Sequence, residues 1–109
     1  MAAYQAGDLP QALSAYEHAL TLNPTSLNAR YNFALVLQKA NYPRDAANEL
    51  EKLLADYPSE TRAHFTLANL YAQQLFQPEP ASKHYLKVLE FEPRHPQAAV
   101  IRHWLAANP

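Results

Sequence analysis

The side chains of this 109-residue chain that could perform acid–base, metal or nucleophilic chemistry are five histidines, ten carboxylates and nine Lys or Arg. There is no cysteine, which removes thiolate nucleophiles, thiolate metal sites and disulfide staples together. His18, His64, His84, His95 and His103 fall in different segments with no His-x-x-x-His pair, so a metal site would need a tertiary coincidence. Surface or capping roles are expected for all five. One glycine leaves almost nothing from which to build a phosphate loop or a dinucleotide fingerprint, and no nucleophile elbow or pair of carboxylates in a definable pocket can be read. The expectation is a non-catalytic protein with no catalytic residue, no metal and no cofactor.

What remains is recognition. All ten carboxylates lie in 8–26, 41–60 and 75–94, and none in 27–40, 61–74 or 95–109. The acid-free segments carry Arg30, Lys39, Arg62 and Arg102, so a concavity lined by them would hold positive potential although the net charge is only -1. An acidic peptide or a free C-terminal carboxylate is the ligand that such a surface favours. Asn32 and Asn69 stand mid-segment, where Asn is a mediocre helix former, and could hydrogen-bond an extended peptide backbone.

These residues must be positioned by helices. Leu13, Tyr16, Ala19 and Leu20 recur at three- and four-residue steps, and strand alternation is absent. Pro10, Pro43 and Pro80 suit helix starts, where a missing N–H costs nothing, and Pro24, Pro58 and Pro93 follow helix ends. Thr25 or Ser26, Ser59 and His95 are candidate caps. The pattern predicts helices near 10–22, 26–40, 43–56, 60–74, 79–91 and 96–107.

The helices repeat. Ala12, Tyr16, Ala19 and Pro24 share their spacing with Ala46, Leu50, Leu53 and Pro58 and with Ala81, Tyr85, Val88 and Pro93; the offsets are 34 and then 35 residues. Phe33, Leu67 and Ile101 form a second series 34 apart, as do Leu37, Tyr71 and Leu105. Ala46 and Ala81 are expected where paired helices cross closely. The longer interval places one extra residue in the turn from Leu75 to Pro80, with the following connection one residue shorter.

On these positions the chain resembles the tetratricopeptide repeat family across nearly its whole length. Leu67, Ala68 and Tyr71 with Ala81, Tyr85 and Pro93 match the family pattern, as do Phe33, Ala34 and Leu37 with Ala46, Leu50 and Pro58. Arg30 and His64 stand where the family has its opening Trp, and Ala34 and Ala68 where it has Gly. The resemblance implies an all-α fold, an α-solenoid of antiparallel helix pairs in a right-handed superhelix. One domain spans 1–109: a partial first repeat over 1–26, full repeats over 27–60 and 61–94, and a capping helix over 95–109, where Arg102 replaces the small residue that a following helix would need.

The resemblance further implies a concave groove, lined by the first helix of each pair, that binds a peptide or partner protein. Tyr31, Asn32, Leu35, Gln38 and Lys39 from one such helix, Arg62, Phe65, Thr66, Asn69 and Gln73 from the next, and His103 from the last project to it if the family geometry holds. Asn32 and Arg62 resemble two members of the carboxylate clamp by which some family members grip the acidic tails of heat-shock chaperones, but Thr66 replaces the clamp's further cation.

The stripe Leu9, Leu13, Tyr16 and Leu20 lacks much of its partner helix, so the chain is expected to be the C-terminal part of a longer one, with self-association through the incomplete first repeat as the alternative. A structural scaffold that packs against its own upstream region or another subunit is the second functional reading. An RNA-binding helical repeat is a remote third, because cations are few and the net charge is slightly negative. No nucleic acid and no membrane partner are expected: no apolar run approaches the roughly 18 residues of a membrane span, and no basic, apolar leader opens the chain. A cytoplasmic location is then only the default.

Overall fold

The computed structural model describes residues 9–22 and 26–109, with Leu9, Pro10, Ala12, Tyr16, Ala19 and Leu20 described by backbone alone. Six helices and no strand occur among them: α1 Leu9–Leu22, α2 Leu27–Lys39, α3 Pro43–Asp56, α4 Thr61–Gln73, α5 Pro78–Phe91 and α6 Ala98–Ala107. The all-α, helical-pair expectation holds. The helix that would precede Gly7, the turn at Gly7 and Asp8, and the candidate cap Thr25 lie outside the described residues, and of the α1 stripe only Leu13 is described, half-buried.

The chain divides into two compact units, Met1–Tyr57 and Pro58–Pro109. In the first, α2 packs against both α1 and α3. Ser26 starts α2 by accepting a hydrogen bond from the Ala29 N–H at 3.3 Å, which satisfies one of the orphan donors of the first turn. The helix ends in a Schellman turn. Asn41 takes the left-handed conformation at φ 70°, the Tyr42 N–H reaches the Leu37 carbonyl at 2.8 Å, and the Asn41 N–H reaches that of Gln38 at 3.1 Å. Asn tolerates this conformation, so the turn does without glycine. Pro43 then opens α3, as the sequence predicts. Ala46, Leu50 and Leu53 are fully buried together with Val36, and Ala34 fills the family's glycine position at 1% exposure.

In the second unit α5 packs against α4 and α6. Ala68, Ala81, Tyr85, Val88 and Ile101 form the core cluster, flanked by Phe65, Tyr71, Leu89, Trp104 and Leu105. The extra residue between α4 and α5 widens the turn. The Leu75 N–H bonds the Leu70 carbonyl at 2.9 Å, the Gln77 N–H bonds that of Tyr71 at 2.7 Å, and Phe76 is driven to φ 53°. Helix α5 therefore starts at Pro78 and not near 79 or 80. Pro78 and Pro80 both fall in the first turn, where no N–H has a helical partner, so two prolines fit a single helix start.

Three expectations fail locally. Ser59 does not cap α4, whose N-cap is Glu60 without a side-chain cap bond. The connection before α6 is longer, not shorter, running from Glu92 to Gln97, because 92–97 is held in turns: the His95 N–H bonds the Glu92 carbonyl at 3.0 Å and the His95 ring accepts the Gln97 N–H at 3.0 Å. His95 therefore holds the turn that precedes α6 and does not cap the helix, whose N-cap is Gln97 without a side-chain cap bond.

Candidate functional site

The two positions where the family carries Trp hold polar side chains, and both are buried. Arg30 is 8% exposed and its guanidinium donates to Asp56 at 2.6 Å, joining α2 to the end of α3. In α4, His64 is 5% exposed; its Nε2 lies 2.7 Å from the Pro58 carbonyl and its Nδ1 lies 2.9 Å from Nδ1 of His84, which is itself 4% exposed. Tyr71 stacks on His84 at 6.1 Å, and Phe91 lies 5.9 Å from His64. The expectation that all histidines sit at the surface or cap helices is therefore corrected for His64 and His84. Paired helices bring together two imidazoles that are twenty residues apart. They do not make a metal centre: among the described residues no group of three or more His, Asp or Glu is assembled.

The charge reading also changes. Arg30 is buried and paired with Asp56, and the Nε of Arg62 donates to Glu60 at 2.9 Å. Two of the four cations of the acid-free segments are thus met by a carboxylate from outside them. Arg102 is exposed and donates to the Pro93 carbonyl at 3.1 Å, and Lys39 is exposed at the end of α2. The engagement of Arg62 by Glu60 also weakens its likeness to a clamp residue.

A cleft of about 200 Å³ opens between α4 and α6 over Tyr85. Phe65, Asn69 and Gln73 line one wall at four-residue steps along α4, and Gln97, Val100, Ile101 and Trp104 line the other. Tyr85 and Ile101, both buried, form the floor. The Tyr85 ring lies 5.0 Å from Trp104 and 6.3 Å from Phe65, both at tilted angles that suit aromatic quadrupoles. Its hydroxyl donates to the carbonyl oxygen of Asn69. Burial pushes the Tyr85 hydroxyl above its ordinary ionisation range. No lining side chain is charged.

Three of the residues expected to form a groove, Phe65, Asn69 and Gln73, thus share one cleft. Thr66 is half-buried on α4, and Arg62 and His103 are exposed; none of the three lines it. In the other unit Tyr31, Asn32, Leu35 and Gln38 are half-buried along α2 and Lys39 is exposed. Sequence reading missed Tyr85, Gln97, Val100 and Trp104. Their signal lies in α6, where Val100 and Trp104 form a second stripe one position before Ile101 and Leu105.

Repeated helix pairs with an uncharged, aromatic cleft and amides on both walls define the class of helical-repeat proteins, whose fold is an interaction fold. The tetratricopeptide repeat family model matches residues 61–95, so this segment is a tetratricopeptide repeat and the chain is a tetratricopeptide-repeat protein. A "TPR repeat-containing thioredoxin TTL4" from Arabidopsis thaliana is 33% identical over 81 residues, 74% of this chain and 12% of the relative. "Protein O-mannosyl-transferase Tmtc3" from Drosophila melanogaster is 26% identical over 97 residues, 89% of this chain and 10% of the relative. The chain therefore spans about a tenth of the length of these curated relatives. Among solved structures, "YrrB: a TPR protein with an unusual peptide-binding site" is similar with a TM-score of 0.79 at 21% identity, over 89% of this chain and 50% of that one, a likeness of fold.

Proposed function

We propose that the chain is a non-catalytic interaction module that binds an extended segment of a partner protein along the α4 face of its cleft. The convergence of Phe65, Asn69 and Gln73 on one opening with Trp104 is the observation that carries this reading. The peptide-binding site named for the structural neighbour agrees with it. The transferase and thioredoxin names belong to relatives of which this chain matches about a tenth, so their chemistry is not carried over. A preference for acidic or C-terminal carboxylate segments draws support from Lys39 and Arg102 alone, now that Arg30 and Arg62 are paired with carboxylates. The residues of α2, Tyr31, Asn32, Leu35 and Gln38, are proposed as further contacts.

A peptide array of neutral, acidic and apolar segments, followed by titration of the hits, tests the reading. Hits that bind equally to an Asn69→Ala, Gln73→Ala variant would refute it. A scaffold role is the second reading, favoured by an opening of about 610 Å³ lined by exposed Leu86 and by Leu105. It predicts that an upstream region of the chain or another subunit covers that face, and Leu86→Lys leaving every assembly of the longer protein unchanged would remove it.

A further inference from the structure

We infer that the cleft between α4 and α6 is specific for one bulky, uncharged side chain, aromatic or long aliphatic, presented by an extended partner segment, and that it rejects a carboxylate at this position. The inference rests on the proposed peptide-binding reading and names what that site accepts.

Three observations carry it. The first is size. A cavity of about 150 Å³ lined by apolar side chains holds a benzene ring, and the cleft here measures about 200 Å³. That admits one large side chain and falls short of the roughly 300 Å³ at which sites for whole small molecules begin. The second is charge. None of the eight lining residues is ionisable near neutral pH, and the one ionisable hydroxyl, that of Tyr85, is pushed further from ionisation by burial. A carboxylate entering the cleft would lose its hydration and meet no cation, so its burial is unfavourable. The nearby cations do not line it: Arg62 is paired with Glu60 and Arg102 donates to the Pro93 carbonyl. The third is the placement of the amides. Tyr85 occupies the carbonyl oxygen of Asn69, which leaves that side chain its N–H donors, and Gln73 and Gln97 stand on opposite walls. Donors at the rim of an apolar slot suit the backbone carbonyls that flank an inserted side chain.

Trp104 is the only tryptophan of the chain and lines the cleft, so its fluorescence reports occupancy directly. The test titrates the full chain with short Ser/Ala peptides that differ only at a central Phe, Leu, Ala or Asp, together with one acidic peptide ending in a free carboxylate. The central Phe and Leu peptides are expected to shift Trp104 emission and to bind at least about tenfold more tightly than the Ala and Asp peptides. Val100→Lys, at a position 63% exposed and so compatible with folding, is expected to weaken the Phe peptide by about tenfold or more while the helical circular dichroism and melting temperature are kept. Equal or tighter binding of the Asp or acidic peptide overturns the inference and leaves the peptide-binding reading standing. Binding of the Phe peptide that is untouched by Val100→Lys also overturns it, because the side chain then sits elsewhere. If no peptide binds, the underlying reading falls as well.

Discussion

Nδ1 of His64 lies 2.9 Å from Nδ1 of His84, and the other nitrogen of His64 lies 2.7 Å from the Pro58 carbonyl. A carbonyl only accepts, so His64 carries its proton on Nε2 and, in the neutral pair, its Nδ1 must accept from Nδ1–H of His84. The two rings are thereby fixed in opposite tautomers. In this unit the pair does the bridging that the Arg30–Asp56 pair does in the other.

Nitrogen-15 NMR near neutral pH should find the Nε2–H tautomer at His64 and the Nδ1–H tautomer at His84. His84→Leu should leave a buried acceptor on His64 and cost about 1–3 kcal/mol in chemical denaturation. Adding His64→Phe should recover part of that loss, since apolar replacement of both partners removes the orphan. A double variant less stable than His84→Leu would show that the His64 bond to the Pro58 carbonyl outweighs the orphaned acceptor.

Phe76 is 78% exposed at φ 53°, so it bears a left-handed cost with little burial in return. That conformation costs a bulky residue about 1–2 kcal/mol, and glycine returns about 0.4–1 kcal/mol of this through the entropy of the unfolded chain. Phe76→Gly should therefore raise stability, by up to about 1 kcal/mol, measured as a higher denaturant midpoint at unchanged slope. A lower midpoint would mean that Phe76 makes contacts that outweigh its backbone cost.

Tyr85 supplies a pH dependence. Its folded ionisation is raised by burial above the ordinary tyrosine value of 10.0. Below that value both states keep the proton, so the contribution of this group is fully present and does not vary with pH; above it the unfolded chain ionises first, and the contribution is lost as pH rises through the folded value. Tyr85→Phe should cost about 0.5–1.5 kcal/mol at pH 7 through the lost bond to Asn69 and should show a shallower alkaline decline than the parent. Parallel declines in the two proteins would refute the assignment.

Ala46 is fully buried in α3, which packs against α2, and Asn48, two residues further on, is exposed. Ala46→Phe should overpack the crossing and destabilise by about 1–3 kcal/mol, whereas Asn48→Phe should stay within about 0.5 kcal/mol of the parent. Equal effects would break the register of the repeat.

The helices were legible because their signals are local. Proline marks Pro43 as a start, Ser26 caps the next turn, and the series Ala46, Leu50, Leu53 and Ala81, Tyr85, Val88 is buried as its spacing predicts. The start of α5 was expected one residue late, at 79, because Pro78 and Pro80 both suit a first turn, and that of α6 two residues early because the turns of 92–97 depend on hydrogen bonds that composition does not encode. Of the residues that the family resemblance places at a groove, Phe65, Asn69 and Gln73 line one cleft; its opposite wall was not anticipated because Val100 and Trp104 look like ordinary core residues until α6 is placed beside α4.

Helix order, repeat length and the buried stripe follow from the chain alone, since backbone limits and apolar periodicity act within a turn or two of each residue. Which polar groups meet is decided only by folding. Arg30 finds Asp56 across 26 residues and His64 finds His84 across 20, and each encounter turns a side chain that reads as surface or ligand-binding into part of the interior. The division of charge that pointed to an acidic ligand is reduced in the same way at Arg30 and Arg62, because electrostatic pairing depends on distance in space and not on separation along the sequence.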